Sequence, residues 1–285
     1  MLEKIAHILS KNPTTQWQAK DFSAVDQLHL GGIPATLALL DWLPNDQDQS
    51  KGKDKPLSTL GLDIGCGLGG TSRLVWATRG YTMMGLDLND SYIGAAKLLN
   101  QSIDPPPKCQ FVVGNSLHLP FEAQLFGFVI SQHASMNIHQ KLDLLAGLYK
   151  VLKPQGQLLL HEVMLQPNAL AADVVYPTPW AYQKDESHLC QWSTFERLAI
   201  DAGFVVEQFE DDTQSALAWI RKTRAQKLAP QPADSAVKRK AEAESKPRFT
   251  PALALGPNAA AMSANVLANI EAGLLQVVSV SLRKV

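Results

Sequence analysis

The sequence predicts an α/β fold, a doubly wound and mostly parallel sheet of seven strands with an N-terminal helical cover and a helical insertion before the last strand. Three observations carry this reading. From Leu57 onward short apolar runs alternate with helix-like segments, the pattern of a parallel sheet covered on both faces. A glycine-dense turn, Gly65-Cys66-Gly67-Leu68-Gly69-Gly70, joins the first apolar run to the first of those helices. Of the 285 residues, 46% are hydrophobic, enough for one large packed core.

Residues 1–43 read as the helical cover, with apolar positions at helical spacing (Ile5, Ile8, Leu9, then Ile33, Leu37, Leu40). The turn Asp26-Gln27-Leu28-His29-Leu30-Gly31-Gly32 interrupts them. Residues 44–56 are polar, charged and bounded by proline, and read as a linker. The core is expected over 57–212 and 274–285. Its strands are expected at Leu57–Asp63, Tyr81–Asp87, Cys109–Val113, Phe126–Ser131, Gln157–Val163, Phe204–Phe209 and Leu275–Leu282. Helices are expected at Gly70–Thr78, Ser91–Asn100 and Gln140–Leu152. Ser193–Ala202 reads as another, capped by Ser193 with Glu196 in the reciprocal position and ended by Gly203. Right-handed crossovers place ligands at the C-terminal ends of the strands. The insertion spans 213–273, with helices at Thr213–Lys227 and Asn258–Ala272. Between them, 229–249 holds Pro, Ala, Lys, Arg and Glu with almost no large apolar side chains, and reads as disordered.

Composition excludes several function classes. A net charge of −1 gives no global attraction to nucleic acid or an anionic membrane. The run Lys238-Arg239-Lys240 lacks interleaved aromatics and is followed by Glu242 and Glu244, so it reads as a solvated linker. No apolar stretch is long enough to span a bilayer. Cys66, Cys109 and Cys190 are too few and too scattered for a disulfide framework or a zinc site, so no metal is expected. The start, Met1-Leu2-Glu3-Lys4-Ile5, carries an acid and no signal-type apolar run. The expectation is a cytoplasmic protein, monomer or homodimer, acting on a small molecule.

Gly65, Gly67 and Gly70 satisfy G-x-G-x-x-G, which alone is weak evidence for a dinucleotide site. Glycines let a ligand lie against bare backbone, and a helix N-terminus favours an anionic group. Asp87 ends the second strand, where an acid can accept both ribose hydroxyls. Two features separate the possible ligands. Asp63, two residues before the first glycine, offers a carboxylate to an amine, which NAD lacks at that point. Asn115 and Ser116, just after the third strand, can reach an adenine edge. The combination suits S-adenosylmethionine.

These residues form a wider pattern. Leu62-Asp63-Ile64-Gly65-Cys66-Gly67-Leu68-Gly69 resembles the first motif of class I S-adenosylmethionine-dependent methyltransferases. Leu152-Lys153-Pro154-Gln155-Gly156-Gln157-Leu158 resembles their late L-K-P-G-G-x-L motif, with Gln155 in place of the first glycine. Gly114-Asn115-Ser116 resembles their G-D-A, with an uncharged Asn115. The segments Asp26–Gly32, Gln132–Ile138 and His161–Val163 are similar to a narrower group of small-molecule enzymes that includes sarcosine/dimethylglycine N-methyltransferases.

The resemblance implies a Rossmann-like fold, S-adenosyl-L-methionine as cofactor, and in-line methyl transfer to a small molecule. An amine is the first acceptor expected, and carbon or oxygen of a small metabolite the next. It implies that Gly65 and Gly67 line the methionyl group, Asp63 helps hold its amine, and Asp87 binds the ribose. Asn115, Ser116 and Leu117 flank the adenine, and the backbone carbonyls of Ser131 and Gln132 hold the donor's amino group. His133 is the candidate general base, or else a residue that fixes the loop. His29 and Gln27 belong to a cover over the cofactor or to plain packing. Tyr176 and Trp180 enclose a methylammonium by cation–π attraction, or form the small core of their own loop. His161 and Glu162 touch the acceptor, unless Glu162 caps a neighbouring helix. Two alternatives stay open: an S-adenosylmethionine-binding module without catalysis, and an NAD(P)-dependent oxidoreductase.

Overall fold

The computed structural model describes residues 1–43, 60–228 and 249–285. The expected linker at 44–56 lies outside the described residues, as does the expected disordered segment apart from Phe249.

Seven strands form one sheet: β1 (Leu60–Ile64), β2 (Thr82–Asp87), β3 (Cys109–Val113), β4 (Phe126–Gln132), β5 (Leu152–Leu165), β6 (Phe204–Asp211) and β7 (Leu275–Lys284). Their order is β3-β2-β1-β4-β5-β7-β6. β1 to β5 pair in parallel, and β7 runs antiparallel between β5 and β6. The order reverses between β1 and β4, where Ile64 pairs with Ser131. Loops leaving these two strands therefore diverge and open a crevice at the switch point.

The helices are α1 (Leu2–Ser10), α2 (Ser23–Asp26), α3 (Gly32–Leu40), α4 (Gly70–Arg79), α5 (Asp90–Gln101), α6 (Lys141–Val151), α7 (Trp192–Asp201), α8 (Thr213–Leu228), α9 (Pro251–Leu255) and α10 (Ala259–Glu271). Asn89 caps α5 by accepting the N–H groups of Ser91 and Tyr92. α4 stops at Gly80, whose φ of +72° is open to a residue without Cβ.

Alternation along β1 sorts the two core faces. Leu62 and Ile64 pack with Leu144, Leu148 and Phe195 from α6 and α7. On the other face Phe128 and Ile130 meet Leu39, Leu40, Val75 and Ile93 from α3, α4 and α5. Gly61 leaves room there, because a Cβ would lie 2.3 Å from the Phe128 ring. Each fully buried large aliphatic side chain contributes about 1.5–3 kcal/mol, so the sheet and its helices are fixed before any site chemistry.

Three local expectations are corrected. α7 starts at Trp192, with Gln191 at its cap and no side-chain capping bond, so Ser193 and Glu196 form no capping box. The backbone is held extended up to Gln191 by a bridge to Leu165, which starts the helix before Ser193 is reached. β5 begins at Leu152 rather than Gln157, because its Lys-Pro-Gln-Gly segment is a bulge on β4 in which Gln155 adopts φ +63°. Phe249, the last residue of the expected disordered segment, is buried. Its ring packs edge-on to Trp17 at 5.7 Å and to Phe22 at 5.2 Å. The insertion thus returns onto the N-terminal cover.

Candidate functional site

The turn after β1 is built from left-handed glycines. Gly65, Gly67 and Gly69 have φ of +67°, +52° and +79°, which L side chains rarely adopt. A Cβ on Gly65 would lie 2.7 Å from the Cβ of Ala134, whereas one on Gly67 would meet nothing within 4 Å. Gly67 therefore borders open space. Gly70 serves packing instead, since its Cβ would lie 2.3 Å from the carbonyl oxygen of Asp26. The loop N–H groups are already engaged. Those of Gly65 and Cys66 donate to the Leu86 carbonyl at 2.9 and 3.1 Å, and that of Gly69 donates to the Cys66 carbonyl at 2.8 Å. The Gly67 N–H donates to Asp87 Oδ2 at 2.9 Å. A pyrophosphate needs free N–H groups at such a turn, whereas an aminoacyl group can lie against its surface.

The space is a cavity of about 1140 Å³ whose walls include Asp63, Gly65, Gly67, Asp87, Asn115, Ser116, Leu117, Gln132, His133, His29 and Trp180. Asp63 is buried and accepts the Ser72 hydroxyl at 2.6 Å. Burial pushes its carboxyl up to about 7, against the Ser72 bonds and with help from the nearby Asp87 charge. Asp87 also accepts the Asn89 N–H at 2.9 Å through Oδ1. Burial raises its pKa, and the N–H groups of Asn89 and Gly67 oppose the shift. Asn115 is exposed, and its Oδ1 accepts the Leu117 N–H at 2.9 Å.

On the other side of the cavity the turn after β4 is tightly held. The Gln132 Oε1 accepts Thr71 Oγ1 at 2.8 Å and Thr36 Oγ1 at 3.2 Å. His133 has φ +52°, and its N–H donates to the His161 carbonyl at 2.9 Å. Glu162, fully buried, accepts Ser131 Oγ at 2.9 Å, the Ala134 N–H at 3.1 Å and the Ser135 N–H at 3.2 Å. Of the two roles open to Glu162 in the sequence, the structure supports the cap, here on the single 3₁₀ turn Ser135–Asn137.

Three imidazoles meet beneath this turn. The His133 ring stacks on that of His161, with centroids 5.4 Å apart and planes 13° apart. His29 lies 6.1 Å from His133 and 6.0 Å from His161. His29 Nε2 is 3.0 Å from the Gly32 carbonyl and 2.9 Å from Thr36 Oγ1. Burial, reinforced by the neighbouring His161, pushes the His29 pKa down to about 3. Burial also holds His133 well below the ordinary histidine value, with His161 and His29 adding to the shift. His133 Nε2 is buried with no hydrogen-bond partner. Among the described residues no group of three or more His, Cys, Asp or Glu is placed to hold a metal ion.

Three expected site residues do not border the cavity. Ser131, expected to act through its backbone carbonyl, is 3% exposed, and its hydroxyl is bonded to Glu162. His161 is 1% exposed and lies behind the wall. Tyr176 packs in a separate apolar cluster with Val174, Ile220 and Val266, so of its two readings the loop's own core holds. Its partner Trp180 packs against the same cluster yet reaches the cavity wall.

Several wall residues escaped the sequence reading. Thr71, Asn137, Ile138, His139 and His188 belong to it, as do Ala254 and Leu255 of α9. Asn137 to His139 follow β4 closely, so their position after a switch-point strand was an available signal. Nothing local marks Ala254, which arrives through the fold of the insertion. Behind the glycine turn a buried ion pair joins Asp26 Oδ2 to Arg73 Nη2 at 2.7 Å. It ties the cover to α4.

Residues 62–160 match a protein family described as "Methyltransferase domain". The curated relatives include 24-methylenesterol C-methyltransferase 2 of Oryza sativa subsp. japonica. It is 31% identical over 101 residues, which are 35% of this chain and 28% of that protein. The chain thus matches only about a quarter of the length of such relatives. A sarcosine/dimethylglycine methyltransferase-like protein from Galdieria sulphuraria has a TM-score of 0.65 at 18% identity, covering 89% of this chain and 85% of that one. Phosphoethanolamine N-methyltransferase 2 of Haemonchus contortus, in complex with phosphomonomethylethanolamine and S-adenosylhomocysteine, gives 0.67 at 18% identity. There the coverage is 98% of this chain and 60% of that one. Sheet order and glycine turn agree with that match: residues 62–160 match a methyltransferase domain, and the chain has the Rossmann-like fold of these solved structures.

Proposed function

We propose that the chain transfers the methyl group of S-adenosylmethionine to a small-molecule acceptor, an amine first among the candidates. One observation carries the reading: Asp63 and Asp87 border one cavity on either side of a turn whose Gly67 has open space where a side chain would stand. In this reading Asp63 pairs with an ammonium, Asp87 takes ribose hydroxyls, and Asn115, Ser116 and Leu117 meet an adenine edge.

The cofactor supplies a methyl already activated on a sulfonium, so the leaving thioether needs no acid. The protein's work is then alignment and handling of a proton. His133, on the cavity wall, would take the proton that the acceptor gives up as it is methylated. The charge of the wall supports an amine. Its described residues include Asp63, Asp87 and Asp90, an Asp26 already paired with Arg73, and the imidazoles of His29, His133, His139 and His188, but no lysine or arginine, so an anionic acceptor would find no permanent cation there. Trp180 adds an aromatic face for a methylammonium. Its balanced charge supports the absence of a nucleic-acid partner, and its three scattered cysteines support reduced thiols in a cytoplasmic protein.

The test is formation of S-adenosylhomocysteine together with a methylated product from a panel of amines, followed by mass spectrometry. Calorimetry adds the site-specific arm. A charged hydrogen bond is worth about 1.5–3 kcal/mol, so Asp87→Ala weakens S-adenosylhomocysteine binding by about tenfold or more. Binding of NADH with no response to S-adenosylhomocysteine overturns the reading. So does unchanged affinity in a folded Asp87→Ala variant.

A further inference from the structure

His161 stands behind the cavity with a hydrogen-bond pattern that fixes its protonation. Its Nε2 lies 2.9 Å from the Leu30 carbonyl oxygen. A carbonyl only accepts, so Nε2 carries a hydrogen. On the opposite edge Nδ1 lies 3.0 Å from Ser279 Oγ and 3.6 Å from Asp212 Oδ2. Ser279 has a single hydroxyl proton, and its Oγ lies 2.5 Å from Asp212 Oδ2. With that proton given to the carboxylate, Ser279 Oγ presents a lone pair to Nδ1, and Nδ1 must donate as well. Both ring nitrogens then bear hydrogen. A buried cation needs a buried or half-buried anion beside it, and Asp212, 25% exposed, supplies it. The bond to His161 holds Asp212 below the usual carboxylate range, against its own partial burial and with help from Ser279.

We propose that Asp212, Ser279 and His161 form a positioning relay: the acid and the serine hold His161 as a buried imidazolium, whose charge lies against the stacked His133 ring and keeps that ring in its neutral form before the acceptor arrives. The proposal rests on the reading of His133 as the group that receives the acceptor's proton. The groups facing His161 come from four other elements. Asp212 lies between β6 and α8, Ser279 lies on β7, His29 on the turn before α3, and His133 after β4. Its strand neighbour Glu162 is turned away toward Ser131, Ala134 and Ser135. Asp212 is therefore the acid that balances the cation. A second proton on His133 would sit beside a like charge 5.4 Å away.

The test uses the full chain labelled with ¹⁵N-histidine, together with Asp212→Asn and Ser279→Ala. Imidazole nitrogen shifts at neutral pH are expected to show both His161 nitrogens protonated and His133 neutral. In Asp212→Asn, His161 is expected to become a single neutral tautomer. Freed of the neighbouring charge, His133 then takes up a proton more readily. The acid limb of kcat/KM for an acceptor found in the amine panel, measured at saturating S-adenosylmethionine so that Asp63 does not set it, moves to higher pH by about one unit or more. Ser279→Ala, which removes no charge, moves it the same way by less. A neutral His161 in the unaltered protein overturns the relay. So does an Asp212→Asn variant with lower turnover and an unmoved acid limb, the signature of a merely structural role. If no acceptor is methylated, the functional reading fails while the nitrogen shifts still decide the relay.

Discussion

Lowering the pH from 7 to 5 is expected to weaken cofactor binding through Asp63. Burial holds that carboxyl near 7 in the ligand-free protein, yet an ammonium pairs with its ionised form. At pH 7 about half of the molecules carry the carboxylate, at pH 6 about one in eleven, and at pH 5 about one in a hundred. Apparent affinity for S-adenosylhomocysteine therefore falls about fivefold from pH 7 to 6 and about tenfold more to pH 5. Calorimetry in buffers of different ionisation heat reads the same linkage as release of about half a proton per ligand at pH 7. Asp63→Asn removes the titrating group, so its affinity is lower and flat over this range. The stability of the ligand-free fold runs the other way. A carboxyl raised from its ordinary value of 3.8 keeps its proton longer in the folded chain. Its contribution to stability is fully present below about pH 3.8 and is lost as the pH rises through about 7. Affinity that is flat from pH 7 to 5 in the unaltered protein, or a slope that survives in Asp63→Asn, refutes the pairing of Asp63 with the ligand's ammonium.

Two further outcomes are expected. Asp26→Ala leaves the fully buried Arg73 without its anion, which costs about 3–5 kcal/mol and lowers Tm by about 10 °C; a shift under about 2 °C in thermal circular dichroism would show that the pair does not clamp the cover. The double replacement Asp26→Leu with Arg73→Met should recover most of the loss. Gly67→Val places a branched side chain where nothing of the protein stands within 4 Å, at a left-handed φ that costs about 1–2 kcal/mol. It should abolish S-adenosylhomocysteine binding in a folded chain, and binding within a factor of three of the unaltered protein would move the cofactor elsewhere.

The residues proposed for the cofactor could be brought together from the sequence because each of them is local to the end of a strand. Asp63 and Asp87 lie in the last two residues of β1 and β2, Gly67 and Asn115 come just after β1 and β3, and β3 falls on Cys109–Val113 as read. The acceptor half depends on distant returns. Tyr176 and Trp180 sit on one loop, but the helices α8 and α10 bury the first in an apolar cluster while the second reaches the wall. His161 was placed at the right strand end and on the wrong side of the wall. β5 is buried on both faces from Gly156 to Leu165, so its hydrophobic pattern carries no alternation from which the direction of His161 can be read. Phe249 lies at the end of a segment without large apolar neighbours, and its burial comes from Trp17 and Phe22, more than 200 residues earlier.

The turn after β4 shows why that hidden half is rigid. His133 holds a left-handed backbone, which costs about 1–2 kcal/mol in a residue with a Cβ. Such a conformation persists only where its surroundings over-determine it. Here the His161 carbonyl takes the N–H of His133, and the Glu162 carboxylate takes the next two. Adjacent residues of one strand thus fix three successive N–H groups of another loop. Ser131, at the end of β4, closes the arrangement from the other side through its hydroxyl. The imidazole of His133 is consequently aimed by β5 as much as by its own strand. A charged residue at 162 with no open space around it is best understood as the brace of that turn.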